Sequence, residues 1–304
     1  MKIGLFLPLL GDPAGLRTAL IESARTADRL GFHALWFPEH VVLVDNPVSR
    51  YPYAEDGRFP IDAAQGGVIE PFVAIAMAAG VTEKIRLGTG ICLLPQRSPV
   101  YTAKQVADCD VLSGGRVDFG VGIGWLREEF EALGEDFEGR AYRCREYLDA
   151  MQALWTDDVS RFEGRVYNLP PVRMLPKPLQ KPSPPIIFGG DTDAALRRVA
   201  DLGQGWFGFN HTPGEAAERI QTLSGILSRR GRNRREIEVI VSPYLKPVDG
   251  PETVAAYAAA GVDQLVLVVA AIGATDSVRA IEGFVPLLEA AAALPVVENR
   301  RSAG

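Results

Sequence analysis

Three histidines are the only side chains in this sequence whose ordinary pKa lies near neutral, so their positions decide where proton transfer could occur. His40 stands in LWFPEHVV, directly after an apolar run and beside Glu39. His211 stands in WFGFNHTP, again just after an apolar run. His33 precedes the first of these runs and reads as a polar junction residue. A histidine at the end of a strand can give or take a proton when a substrate docks there. Cys92, Cys109 and Cys144 form no C-x-x-C pair, and so sparse and odd a set suits neither a disulfide framework nor a zinc site. No metal is expected, and a reducing cytoplasm is the natural setting.

Glycines supply the second kind of chemistry. In GGRVDFGVGIGW, Gly120, Gly122 and Gly124 give G-x-G-x-G at a strand end. A dinucleotide fold would want the third glycine later and an acid closing the next strand. The alternative is close strand packing with no ligand. In PPIIFGGDTDAALRRVA, Gly189 and Gly190 end an apolar run, and Asp191 or Thr192 opens a helix. Backbone N–H groups there suit a phosphate, or they simply receive an N-cap. In LGTGICLLP, Gly88 and Gly90 flank Thr89 and weaken a strand, which marks a bulge, a close approach by a flat ligand, or a bend needed to close a barrel. Arg161, Arg165, Arg173, Lys177 and Lys181 face a single nearby acid, Glu163. Such a loop is usually just solvated, but it could guide an anionic cofactor tail, and neutralising Arg173, Lys177 and Lys181 would then weaken binding.

The elements that position these groups follow a regular rhythm. Apolar runs at 3–7, 34–37, 85–91, 117–121, 185–188, 205–209, 237–242 and 264–269 alternate with helical patterns at 16–30, 102–112, 194–202, 215–230 and 251–260. Such alternation means a parallel sheet covered by helices, and eight strands suggest closure. The fold class is therefore α/β: a (β/α)8 TIM barrel spanning 1–304 as one domain, with insertions at its C-terminal face. Gly31, Gly203 and Gly261 sit where left-handed helix C-caps are wanted, so the helix-to-strand face is tight. The strand-to-helix side carries a long segment at 41–67, with Tyr51, Tyr53 and Phe59, and an insertion of about 60 residues in which 140–155 reads as a helix. Long loops at that face read as lids over an active site. With 47% hydrophobic and 23% charged residues, the 304-residue chain can bury a large core. A net charge of −6 gives no field to draw nucleic acid or anionic membrane, and no uninterrupted apolar stretch is long enough to span a bilayer. The opening MKIGLFLPLLGDPAG reads as a buried strand and not a signal peptide, because Gly4 and Pro8 interrupt it and no cleavage pattern follows.

These segments together resemble the bacterial-luciferase-like oxidoreductase superfamily over nearly the whole chain, most closely its coenzyme F-420-dependent branch. IGLFLP, LGFHALWFPEH, IRLGTGICLLPQRSPV and LSGGRVDFGVGIGWLREEFEALG carry the likeness, completed by PPIIFGG and GQGWFGF, through their order and spacing. The resemblance implies a cofactor ring at the barrel mouth against Thr89, Gly90 and Ile91, where relatives often have a cis peptide. It also implies cofactor contacts from Gly122 and Gly124, and a phosphate near Gly189, Gly190 and Thr192. His40 matches a histidine beside the reactive ring in several deazaflavin enzymes, and Glu39 fills the acidic or polar place before it, so both are expected in catalysis. Some deazaflavin dehydrogenases carry a catalytic glutamate where this chain has Trp125, so their sugar-phosphate activity does not carry over. Trp125 is expected in the substrate pocket with His211, Tyr51 and Phe59, and Glu128 on the helix exterior. The implied function is hydride transfer between coenzyme F-420 and a small organic substrate. The alternative is a monooxygenase using reduced FMN from a partner flavin reductase, and a third reading is a cofactor carrier without turnover. Relatives are commonly dimers, which implies a homo-oligomer.

Overall fold

Side chains alternate in and out along every barrel strand, and this alternation sorts the core into two parts. The structure is a computed structural model and describes residues 1–61 and 68–295. In chain order its elements begin β1 (Lys2–Phe6), α1 (Pro13–Leu30), β2 (Ala34–Phe37), α2 (Pro71–Ala79), β3 (Arg86–Thr89), β4 (Cys92–Leu93) and α3 (Pro99–Leu112). They continue β5 (Val117–Gly122), α4 (Arg127–Ala132), α5 (Arg140–Thr156), β6 (Ser160–Glu163), β7 (Asn168–Val172), β8 (Ile186–Gly189), α6 (Asp193–Leu202) and β9 (Gly205–Phe209). Last come α7 (Pro213–Arg229), β10 (Glu238–Ser242), α8 (Pro251–Ala259), β11 (Gln264–Val268), α9 (Ala274–Gly283) and α10 (Val285–Ala292).

Nine parallel strands run in the order β3-β2-β1-β11-β10-β9-β8-β5-β4, and β3 also pairs with β5, which closes the sheet. β3 and β4 are two halves of one barrel strand broken at Gly90–Ile91, a cis peptide, so this is a closed eight-stranded (β/α)8 TIM barrel. Residues such as Ile3, Leu5, Leu35, Phe119 and Val121 point outward and pack under the helices. Phe6, Ala34, Trp36, Ile187, Phe207, Ile240 and Val266 fill the barrel interior. Trp36 Nε1 donates to Gln264 Oε1 at 2.7 Å across that interior. Beneath it Arg86 meets Asp118 at 2.7 Å and Lys2 meets Glu238 at 2.9 Å, which closes the tight end with charge.

The junction glycines divide. Gly31 (φ 87°) and Gly261 (φ 92°) are left-handed as expected. Gly203 is extended, with φ −87° and ψ 156°. What Gly203 supplies is room, because a Cβ there would lie 3.0 Å from Phe188 and 3.1 Å from the Val199 carbonyl. The rhythm did not reveal α2, the short α4, the antiparallel β6–β7 pair, α9 or α10. Among the described residues no helix is long and apolar enough to cross a membrane.

Candidate active site

The C-terminal ends of the strands open into one cavity of about 1000 Å³, large enough for a flat cofactor and a small guest together. His40, Gly90, Ile91, Gly122, Gly124, Trp125, Gly189, Gly190, Thr192 and His211 all line it, as do Tyr51 and Phe59 from the segment after β2. Residues 62–67, the end of that segment, lie outside the described residues.

His40 is held from one side. Its Nδ1 lies 3.0 Å from Glu129 Oε2, and Glu129 is fully buried. Glu129 Oε1 accepts from Val41 N at 2.7 Å and Val42 N at 3.5 Å, and Oε2 also accepts from Gln96 Nε2 at 3.4 Å. Among the described residues, His40 Nε2 has no hydrogen-bond partner. Glu39 also borders the cavity, but its carboxylate is already engaged. Oε2 accepts from Leu93 N at 2.5 Å, and Oε1 accepts from Arg97 Nε at 2.6 Å. Arg97 bridges on to Glu70 and to Gln105 Oε1. Glu39 thus braces the end of β2 against β4 and α3. The carboxylate that meets His40 comes from α4, not from its sequence neighbour.

The glycines answer first to protein atoms. A Cβ on Gly120 would overlap the Thr89 carbonyl, and a Cβ on Gly122 or Gly189 would overlap the Ile91 side chain. Gly124 (φ 77°) faces the Phe130 ring, which would lie 2.7 Å from an added Cβ. The G-x-G-x-G motif therefore lets the broken strand turn inward and places Ile91 on the barrel floor. Thr89 is buried away from the cavity, and its hydroxyl donates to the Gly120 carbonyl at 2.6 Å. The side chain, expected at the cofactor, is a strut beneath the bulge and does not line the cavity.

On the far wall, Thr192 caps α6, its hydroxyl accepting from Ala195 N at 3.2 Å. Gly190 precedes it with φ 103°. Arg198, one turn and a half into α6, lines the same wall, and its Nε is buried with no hydrogen-bond partner among the described residues. Burial pushes its pKa down. An N-cap and an anion cradle are compatible here, because the cap uses one N–H and leaves others free. His211 Nε2 meets Asp191 Oδ1 at 2.7 Å beside this turn.

The lid closes on aromatic contacts. Tyr51 is buried, with ring centroids 5.1 Å from Phe59 and 5.2 Å from Trp125. Phe59 lies 4.7 Å from the His40 ring. Burial raises the Tyr51 pKa strongly, and its hydroxyl shares a hydrogen bond with Tyr244. Glu128 is not turned to the helix exterior. It accepts from Val48 N at 2.7 Å and Ser49 N at 3.0 Å and so pins the lid. Burial pushes its pKa up, but the hydrogen bonds from Ser49 and Val48 outweigh this and hold it at about 2.

Glu129 and Arg198 were not singled out in the sequence. A signal existed for Glu129: it sits at i+3 in the stripe Leu126, Phe130, Leu133, an acid on an otherwise apolar helix face. The basic insertion lies elsewhere. Arg173 pairs with Asp158, and Lys177 donates to the carbonyls of Leu154 at 2.7 Å and Asp157 at 2.5 Å. Lys181 donates to the Pro178 carbonyl at 2.9 Å, and none of the five cations lines the cavity.

A barrel with this broken strand and this mouth defines a class, and comparison supports it. The family model described as luciferase-like monooxygenase matches residues 1–292, so the chain belongs to that family. An uncharacterized protein of Mycobacterium tuberculosis is 31% identical over 262 residues, covering 86% of this chain and 90% of that one. The oxygenase component of a flavin-dependent trigonelline monooxygenase from Acinetobacter baylyi is 33% identical over 169 residues, 55% of this chain and 41% of that protein. A solved F-420-dependent secondary alcohol dehydrogenase, in complex with an adduct of F-420 and acetone, superposes with a TM-score of 0.75 at 17% identity, covering 95% of this chain and 98% of that one. A sequence relative is thus named as flavin-dependent, and a protein of the same fold as F-420-dependent.

Proposed function

We propose that this chain is a coenzyme F-420-dependent oxidoreductase acting on a small organic substrate at the barrel mouth. The observation that carries this reading is His40, fixed at Nδ1 and, among the described residues, with Nε2 unengaged, three residues beyond β2, the strand that pairs with β3 before the broken Gly90–Ile91 turn. The residues present fit such a cofactor. Gly189, Gly190 and Thr192 would hold its phosphate at the start of α6, and the unpartnered Nε of Arg198 supplies a charged donor on the same wall. The bound deazaflavin supplies a ring carbon that gives or takes hydride. His40 Nε2 supplies or removes the accompanying proton on the substrate. Tyr51, Phe59 and Trp125 orient the guest and exclude water.

One observation favours a second reading, an FMN-dependent monooxygenase served by a separate reductase. The five basic residues that would suit a long anionic tail are all remote from the mouth. Fluorescence titration with coenzyme F-420 and with FMN separates the two. Tighter binding of F-420 is expected, and binding of FMN alone would overturn the first reading.

A further inference from the structure

We infer that Glu129 is the positioning residue of this site: it accepts a hydrogen bond from His40 Nδ1–H and so fixes the tautomer that leaves Nε2 to exchange the proton. The inference rests on the proton-transfer role proposed for His40.

The carboxylate is fully buried, and a buried carboxylate is costly unless its oxygens are satisfied. The backbone N–H groups of Val41 and Val42 can only donate, and both point to Oε1. The Gln96 amide faces Oε2 with its nitrogen at 3.4 Å, the orientation in which it donates. The carboxylate fits this place as an acceptor, so its contact with His40 Nδ1 at 3.0 Å makes the imidazole the donor. A neutral imidazole carries one N–H, and with that proton on Nδ1 its Nε2 is a free acceptor. Glu39, though adjacent in sequence, is tied to Leu93 and Arg97 and does not do this. Glu128, the preceding residue, pins Val48 and Ser49 and does not touch the ring. Two successive acids on one short helix therefore divide the work: one holds the lid, the other aims the histidine.

The test is the imidazole ¹⁵N spectrum of the cofactor-free protein, followed upward in pH until the ring signals stop changing and the neutral imidazole is the species read. With three histidines in the chain, His33→Asn and His211→Asn assign the signals. Wild-type His40 is expected to carry its proton on Nδ1. Glu129→Gln gives the sharper result. Its one amide oxygen goes to Val41 N–H, which cannot turn away, so its NH₂ faces His40 and drives the ring proton to Nε2. The tautomer ratio should move by on the order of tenfold or more, the worth of one charge-assisted hydrogen bond. Glu128→Gln, which loosens the lid, should leave the His40 signals in place.

A wild-type ring protonated on Nε2, or a Glu129→Gln ring that keeps its proton on Nδ1, overturns the assignment. If Glu129→Gln does not fold, the wild-type spectrum decides alone. Turnover reads the other half separately: unchanged rates in His40→Ala would sink the proton-transfer role while leaving the tautomer result intact.

Discussion

His40 and His211 each follow a barrel strand, line the same cavity and meet a carboxylate, at 3.0 Å and 2.7 Å respectively. Counting β2–β3–β5–β8–β9 around the closed sheet puts their strands four steps apart out of eight, so the two pairs face each other across the mouth. Their settings differ. The Glu129 side chain is 0% exposed and its oxygens also accept from the backbone, whereas the Asp191 side chain is 21% exposed in the turn before α6. His40 spends Nδ1 on its partner and keeps Nε2 for the cavity. His211 spends Nε2 on Asp191. The same histidine–carboxylate pairing therefore leaves one ring's Nε2 towards the cavity, as the proposed proton exchange needs, and ties the other ring's Nε2 beside the turn proposed to hold a phosphate.

The largest expected effect breaks this symmetry outright. His40→Ala should lower turnover about 10²-fold or more, the usual worth of a positioned acid or base, with cofactor affinity little changed. The readout is the rate at saturating cofactor; a loss confined to affinity would remove the distinction between the two walls. On the proposed phosphate side, Arg198→Ala should weaken binding of a phosphate-bearing cofactor about 10- to 100-fold, because a hydrogen bond to a charged group is worth about 1.5–3 kcal/mol. Equilibrium titration checks it, and Arg198→Lys should recover only part of the loss, since the ammonium lacks the planar fork.

The barrel was legible because its signal is periodic. β2 and β9 have the limits that the apolar runs gave, since each run is bounded by residues that break it, His33 and Pro38 for β2 and Gln204 and Asn210 for β9. What the runs could not show is pairing across the chain. His40 and Glu129 lie 89 residues apart, and only closure of β2, β3 and β5 side by side brings them together. The glycines were visible, but their purpose was not. Gly122 and Gly189 could have served a ligand or a side chain, and it is the inward turn of Ile91 that requires them. α2, with its long apolar run PFVAIAMAA, has too little polar contrast to show a helical period.

The third histidine is the control outside the comparison. His33 lies at the tight end, where burial pushes its pKa down to about 4, with Lys2 adding to the effect. The native state then takes up this proton only near pH 4, whereas the unfolded chain does so near 6.5. Between those values the unfolded state binds more protons, so His33 erodes stability as pH falls from about 6.5 towards 4. Denaturant unfolding of His33→Gln should lose about 1–2 kcal/mol less than wild type over that range, the partial exposure of the ring limiting the effect. Turnover at fixed pH should not change.

Smaller again is the outer pair. His211→Asn removes the ring nitrogen that meets Asp191 at 2.7 Å, leaving the carboxylate without it beside the turn proposed to hold a phosphate, and should weaken cofactor binding about two- to fivefold. Asp191→Asn removes the anion itself and should leave affinity equal or slightly higher. Opposite signs identify a compensating pair, whereas equal losses in both would mean that the two residues touch the ligand directly.

The smallest effect is expected at the basic run, which the sequence alone left between a solvated loop and a guide for an anionic tail. Arg173, Lys177 and Lys181 form a basic run that invites an anionic tail, yet the run descends along α5 to the tight end of the barrel. There Gln180 donates to Asp110 at 2.7 Å and to the Val117 carbonyl at 2.7 Å. Lys177 occupies the carbonyls at the end of α5, the place a cation is favoured by the helix dipole. Neutralising all three should therefore leave cofactor affinity unchanged even at low salt, where surface electrostatics act over the longest range. It should instead lower the unfolding free energy slightly, by the few tenths of a kcal/mol typical of a charge at a helix end. A clear loss of affinity that disappears at high salt would put the tail of the cofactor on this face after all, and would make the second wall of the site larger than the cavity that now defines it.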